Sequence, residues 1–243
     1  MKKDFNSNIP TQKGMFELSQ DNNVIVFHLD AYDTDDFDYL LTNDSENQEN
    51  IFENFTYYRD TLGCYPTTKG AMPFILTGEW YQNEKPYKDY VKNAYIDNSI
   101  YKTLETNAFS IDMYEQPMFL SNDNSLYGNV ENGTYFISDY SEFAEKMGDL
   151  VLFNYMPHQL KKYFLVDTEE INDLRKSDLE YPAHHYDVIR FAEGLEEQGL
   201  SVSRSGNLFK FYHIFGVHAP STFGKDLKED THRMMKLQEI MKY

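Results

Sequence analysis

The chain has 243 residues, enough for one large domain or two small ones, and its 41% apolar and 16% aromatic shares supply a core and exclude general disorder. The formal charge of -18 repels a phosphate backbone and so excludes nucleic acid as the expected partner. Cys64 is the single cysteine, so no internal disulfide forms, and no apolar run reaches the roughly 18 residues that a membrane span needs.

Taken in order, residues 1–20 are polar and without pattern, and are expected to form a flexible lead-in to one domain over 21–243. Their two lysines have no apolar stretch behind them, so they do not read as a signal peptide. Residues 23–33, NVIVFHLDAYD, carry a continuous apolar run that ends in acid. Such a run suits a strand covered on both faces, and ligands of open α/β sheets gather at strand carboxyl ends, which directs attention to Asp30. Inside that run His28 reads as a buried, hydrogen-bonded core histidine. Thr34 is the expected cap of a helix bearing Phe37, Leu40 and Leu41, with Asp35 and Asp36 in its first turn. Residues 55–58, FTYY, read as a second strand.

The stretch 61–78, TLGCYPTTKGAMPFILTG, sets two threonines on a Pro-containing loop before a short buried helix over 71–76 that Gly78 ends. Surface helices are expected over 85–95 and 99–107, a strand over 109–114 and an Asn/Asp/Gly-rich loop over 121–133. A helix capped by Ser141 follows, with Phe143, Met147, Leu150 and Val151 on one face, and helical signal runs past Pro157 to about 164. An amphipathic helix over 188–198 stops at Gly199. Strands over 200–203 and 208–215 could form a hairpin across Gly206, and 225–243 is helical. Alternating strands and helices favour an α/β domain with a mixed or parallel sheet.

Three apolar runs thus end in polar groups: Asp30, the pair Thr67 and Thr68, and the histidines His213 and His218. A carboxylate, a hydroxyl and an imidazole are the parts of metal-assisted group transfer. A threonine hydroxyl is a poor nucleophile at neutral pH until a base or cation stabilises its alkoxide. His184 and His185 in a loop, His158 after Pro157, and the aromatics from Trp80 to Tyr95 read mainly as surface or packing residues, and the acidic clusters as solvated faces.

The same stretches resemble the sulfatase-like hydrolases and transferases of the alkaline-phosphatase superfamily, near the bacterial membrane-anchored phosphoethanolamine and phosphoglycerol transferases. NVIVFHLDAYD resembles the first strand of that family, whose terminal acid binds metal, a role that falls on Asp30. YPTTKGAMPFILTG resembles its nucleophile motif, which puts the nucleophile on Thr68 with Thr67 as fallback. FKFYHIFGVHAP resembles its H-x-x-G-x-H-x-P segment, which sets His218 beside the transferred group. The resemblance covers about residues 22–235. It implies an alkaline-phosphatase-like α/β/α sandwich with a mostly parallel sheet that lacks its C-terminal part. It also implies a divalent metal (zinc, manganese or magnesium) held by Asp30 and Thr68, with His213, His218 and Lys69 on the substrate. That substrate would be a phosphate or sulfate ester of an anionic envelope lipid or glycan. The parent protein would be membrane-anchored with its catalytic domain outside the cytoplasm.

The family pattern continues into an Asp-His pair that completes the metal site, and no Asp-His dipeptide occurs in this chain. The expectation is therefore an incomplete site, with a catalytically inactive binding module or a non-functional fragment as the alternatives.

Overall fold

The computed structural model describes residues 5–43, 52–97, 99–121, 123–166, 171, 174–179 and 188–215. His184, His185, His218 and the helix expected over 225–243 lie outside the described residues.

The centre is a three-stranded parallel sheet. Strand β8 (Asn207–Ile214) lies between β3 (Asn23–Leu29) and β4 (Phe109–Tyr114). Seven of the eight residues of β8 are buried, as an apolar strand with a neighbour on each side requires. Its odd-numbered residues Phe209 and Phe211 join Ile111 and Met113 of β4. They pack on Met72 and Leu76 of α2 (Thr68–Thr77), Tyr95 of α3 (Tyr87–Asp97) and Tyr101 and Leu104 of α4 (Ile100–Thr106). The opposite face carries Tyr114, Tyr212 and Ile214, which pack on Met15, Phe16 and the apolar side of α7 (Val188–Gln198). The period-two alternation of a strand therefore divides the core into two layers with helices on both sides. The chain is thus α/β with parallel strands, as expected.

Two smaller ladders flank this sheet. Strands β1 (Phe5–Pro10), β5 (Val130–Ile137) and β6 (Arg175–Ser177) are antiparallel, and β2 (Glu17–Ser19) pairs in parallel with β7 (Ser201–Arg204). Residues 5–19, expected to be a flexible lead-in, are instead paired strand and turn. Thr11 and Asn129 hold that segment by donating to each other's carbonyls, at 2.8 and 3.2 Å. The turn at Gly14 is further tied down by Lys210, whose ammonium donates to the carbonyls of Gly14 and Met15, and by the Tyr212 hydroxyl on Met15 O at 2.5 Å. Lys210 lies 3.4 Å from Asp112, which also binds Arg204 at 2.5 Å, so the buried cation is paired.

Other expectations are corrected. The run 23–33 is a flanking strand with Val24, Ile25, Phe27 and Leu29 exposed; composition does not say which strand is central, and the ladder gives that place to β8. Residues 55–58 form no strand, and their aromatics instead join edge-to-face contacts with Phe37 of α1 (Thr34–Asn43) and Phe52. Asp33, not Thr34, caps α1, its carboxylate accepting from Asp36 N at 2.9 Å. The last four residues of the expected loop 121–133 open β5 (Val130–Ile137). Asp139, not Ser141, caps α5 (Tyr140–Tyr155), and no residue of that helix is buried. A short helix α6 (His158–Lys161) follows Pro157, and His158 is exposed. The last two strands form no hairpin, since β7 pairs with β2 while β8 enters the central sheet. Helix α7 and strand β4 match their expected bounds.

Candidate active site

All three parallel strands end at one edge, and their register decides what meets there. His28 is the ladder partner of His213, and Tyr114 that of Tyr212. One residue beyond Tyr114, Glu115 reaches the level of His213. One step back, Phe27, Tyr212 and Tyr114 stack on the other face, with centroids 5.1 and 4.8 Å apart. Alternation thus sends the rings of His28 and His213 to the face that α2 covers, where they meet edge-on at 4.6 Å.

Asp30 follows β3. Its N–H donates to Ile214 O at 2.9 Å, which prolongs the ladder one step. Ala31 then turns the chain away at φ 59, a left-handed conformation that costs a non-glycine residue about 1–3 kcal/mol and is typical of functional sites. The Asp30 carboxylate is mostly buried and lies 3.7 Å from His213 Nε2.

Helix α2 delivers the hydroxyl. Thr67 is its N-cap in extended conformation, with its carbonyl accepting from Gly70 and Ala71 N–H. Thr68 is therefore the first helical residue, and its Oγ lies 3.3 and 3.2 Å from the two Asp30 oxygens. Of the two threonines, it is Thr68 that the structure sets against Asp30, at the positive end of the helix dipole. The helix can start here because Gly70 has no side chain, since a Cβ there would meet the Tyr65 ring at 2.9 Å. Pro73 inside the helix cannot bond to the carbonyl of Lys69, and the Tyr87 hydroxyl donates to that carbonyl instead. Gly78 closes the helix at φ 73, its N–H on Phe74 O at 2.7 Å.

His213 is wholly buried. Its Nδ1 faces Glu115, with carboxylate oxygens at 2.8 and 2.7 Å, and Glu115 is equally buried. An ionised Glu115 would hold the proton on Nδ1, and among the described residues Nε2 has no hydrogen-bond partner. Burial pushes Glu115 upward against the lowering pull of His213. Burial, then the charge of His213, lowers His28, which favours its neutral, ligating form, while Asp30 acts the other way.

His28, Asp30 and His213 each offer one donor atom, all within 4.8 Å of one another. Two imidazoles and a carboxylate suit zinc or manganese, and a metal would give the buried Nε2 of His213 a partner, which it lacks among the described residues. The donor set therefore fits the expected divalent metal. It differs from the expected Asp30 and Thr68 pair by two histidines. His213, expected on the substrate, is buried, with its Nε2 facing Asp30. Lys69 holds its ammonium over the Tyr87 ring, 4.8 Å from the centroid. His28 is half-buried at the site and not a satisfied core residue; the signal was available, because residues two apart on a strand share a face, and His28 and Asp30 are two apart. Glu115 was not singled out, and nothing local in DMYEQP marks it.

No family model matches the chain, and neither a curated protein nor a solved structure matches it significantly. No helix among the described residues is long and apolar enough to cross a membrane.

Proposed function

We propose that this chain carries the nucleophile side of a metal-dependent phosphate- or sulfate-ester hydrolase or transferase of the sulfatase-like type. The single observation that carries the reading is the hydroxyl of Thr68 against both oxygens of Asp30, beside two imidazoles at the carboxyl edge of a parallel sheet. His28, Asp30 and His213 would hold the metal, which when bound supplies Lewis-acid stabilisation of charge at the transferred group.

In the first half-reaction Asp30 takes the hydroxyl proton of Thr68. Oγ forms a bond to phosphorus or sulfur while the ester bond breaks, and the leaving oxygen departs with that bond's electron pair and takes a proton from solvent. In the second half water, or an acceptor hydroxyl, attacks the same phosphorus or sulfur and loses its proton to solvent, while the bond to Oγ breaks and Thr68 recovers its proton from Asp30. The N-terminus of α2 favours an anionic group at this position. The exposed ring of Trp80, 4.4 Å from Phe74, and the half-buried Tyr81, which stacks on the buried Tyr90, offer apolar surface near the helix for a lipid or glycan portion. An anionic envelope lipid or glycan is the substrate class that the motif resemblance favours.

The test is turnover of a generic phosphodiester and a generic sulfate ester with zinc or manganese added. Turnover abolished in Thr68→Ala supports the reading. Turnover that survives this change removes Thr68 from the mechanism. Binding of an anionic glycan with no turnover replaces the enzyme with an inactive binding module.

A further inference from the structure

We infer that Glu115 is the positioning residue of the site, a buried carboxylate that holds His213 so that Nε2 and not Nδ1 faces Asp30 and His28. This rests on the metal reading above and extends it by one residue. The placement comes from backbone register. Tyr114 pairs with Tyr212, so the residue after β4 arrives level with His213 on the same face. Both carboxylate oxygens then lie 2.7–2.8 Å from Nδ1, and the neighbouring N–H of Gln116 donates to Oε1 at 2.6 Å, which fixes the carboxylate in turn.

A purely structural pair is the weaker account. Two ionisable groups with no exposed side-chain surface are an expensive way to join two strands that already share a backbone ladder. A packing role would also leave the far nitrogen of the ring satisfied or surrounded by apolar atoms. Here, among the described residues, Nε2 has no hydrogen-bond partner and lies 3.7 Å from a carboxylate, with the His28 ring beside it. A carboxylate on one nitrogen with an unshared lone pair on the other is the arrangement by which proteins orient a ligating histidine. Turning the ring over would put Nδ1 at the site and break the bond to Glu115, so the carboxylate selects the ligating atom.

The experiment is a zinc titration followed by calorimetry and by 15N NMR of the imidazole nitrogens. It uses the wild-type chain, Glu115→Gln, His213→Ala and the double variant. In wild type, zinc is expected to shift His213 Nε2 while Nδ1 keeps its proton. Glu115→Gln, which preserves shape, is expected to weaken zinc binding about 10- to 100-fold. In the His213→Ala background the same change is expected to have no further effect, because its only route to the metal is gone. The inference is overturned if zinc shifts Nδ1, if Glu115→Gln binds zinc as wild type does, or if its loss adds in full to that of His213→Ala. Wild type that binds no zinc or manganese at all would overturn the metal reading itself, a distinct result. The wild-type NMR arm decides the question even if a variant does not fold.

Discussion

Thr68 Oγ lies within 3.3 Å of both carboxylate oxygens of Asp30, although 38 residues separate the two along the chain. A hydroxyl placed across both oxygens of one carboxylate has a base for its proton whichever oxygen accepts it. Thr68→Ala is expected to lower ester turnover by several orders of magnitude, and Thr68→Ser to retain part of it, because the hydroxyl survives. Thr67→Ala should leave turnover within a few-fold of wild type, since Thr67 makes no side-chain cap bond. Steady-state kinetics on the three variants checks the order.

Metal should stabilise the fold through the same edge. Zinc at about 100 times its dissociation constant is expected to add about 2.7 kcal/mol to unfolding free energy, seen as a rise in Tm. His28→Gln should remove most of that rise, because it deletes one of three donors. An equal rise in both proteins would place the metal elsewhere.

The Pro73 defect in α2 gives a third prediction. Tyr87→Phe leaves the Lys69 carbonyl without its donor and is expected to cost about 1 kcal/mol in urea unfolding. Pro73→Ala restores an N–H to the helix, so Tyr87→Phe made in that background should cost less. The coupling in this double-mutant cycle is the quantity to measure.

Asp112 neutralises the buried ammonium of Lys210 and binds Arg204. Asp112→Ala strands that cation in the core and is expected to destabilise the chain by about 3–5 kcal/mol. Because Lys210 also anchors the turn at Gly14 and Met15, amide exchange should rise in residues 11–16 before it rises in α5.

Alkaline pH should unfold the protein through its tyrosines. Burial pushes Tyr90, Tyr127 and Tyr135 up to about 12, against 10 for an unfolded chain. A raised tyrosine means that the unfolded state releases its proton first. The stabilising contribution is therefore intact below pH 10 and declines as pH rises from 10 to 12. Urea midpoints between pH 8.5 and 11.5 should fall, and Tyr90→Phe should flatten the fall.

Local signals carried part of this architecture. The helix that Gly199 ends, strand β4, and the Gly78 stop of α2 were legible because periodicity and glycine conformation are properties of short segments. Asp30 and Thr68 were legible for a related reason: each closes or opens an apolar element, and such ends collect at one edge of a parallel sheet. His28 reads as core from the sequence because an imidazole inside an apolar run looks the same whether its face is core or site.

What the amino-acid order determined by itself was therefore a set of elements and the polar residues at their ends. Which strand is central, that residues 5–19 pair with distant segments, and that Glu115 stands level with His213 were decided only by the ladders β3–β8–β4 and β1–β5–β6. The physical reason is that strand register is a contact between residues far apart in the chain, as Asn23 and Leu208 are. Such contacts depend on which surfaces the whole chain can bury at once, and no window of neighbouring residues contains that information.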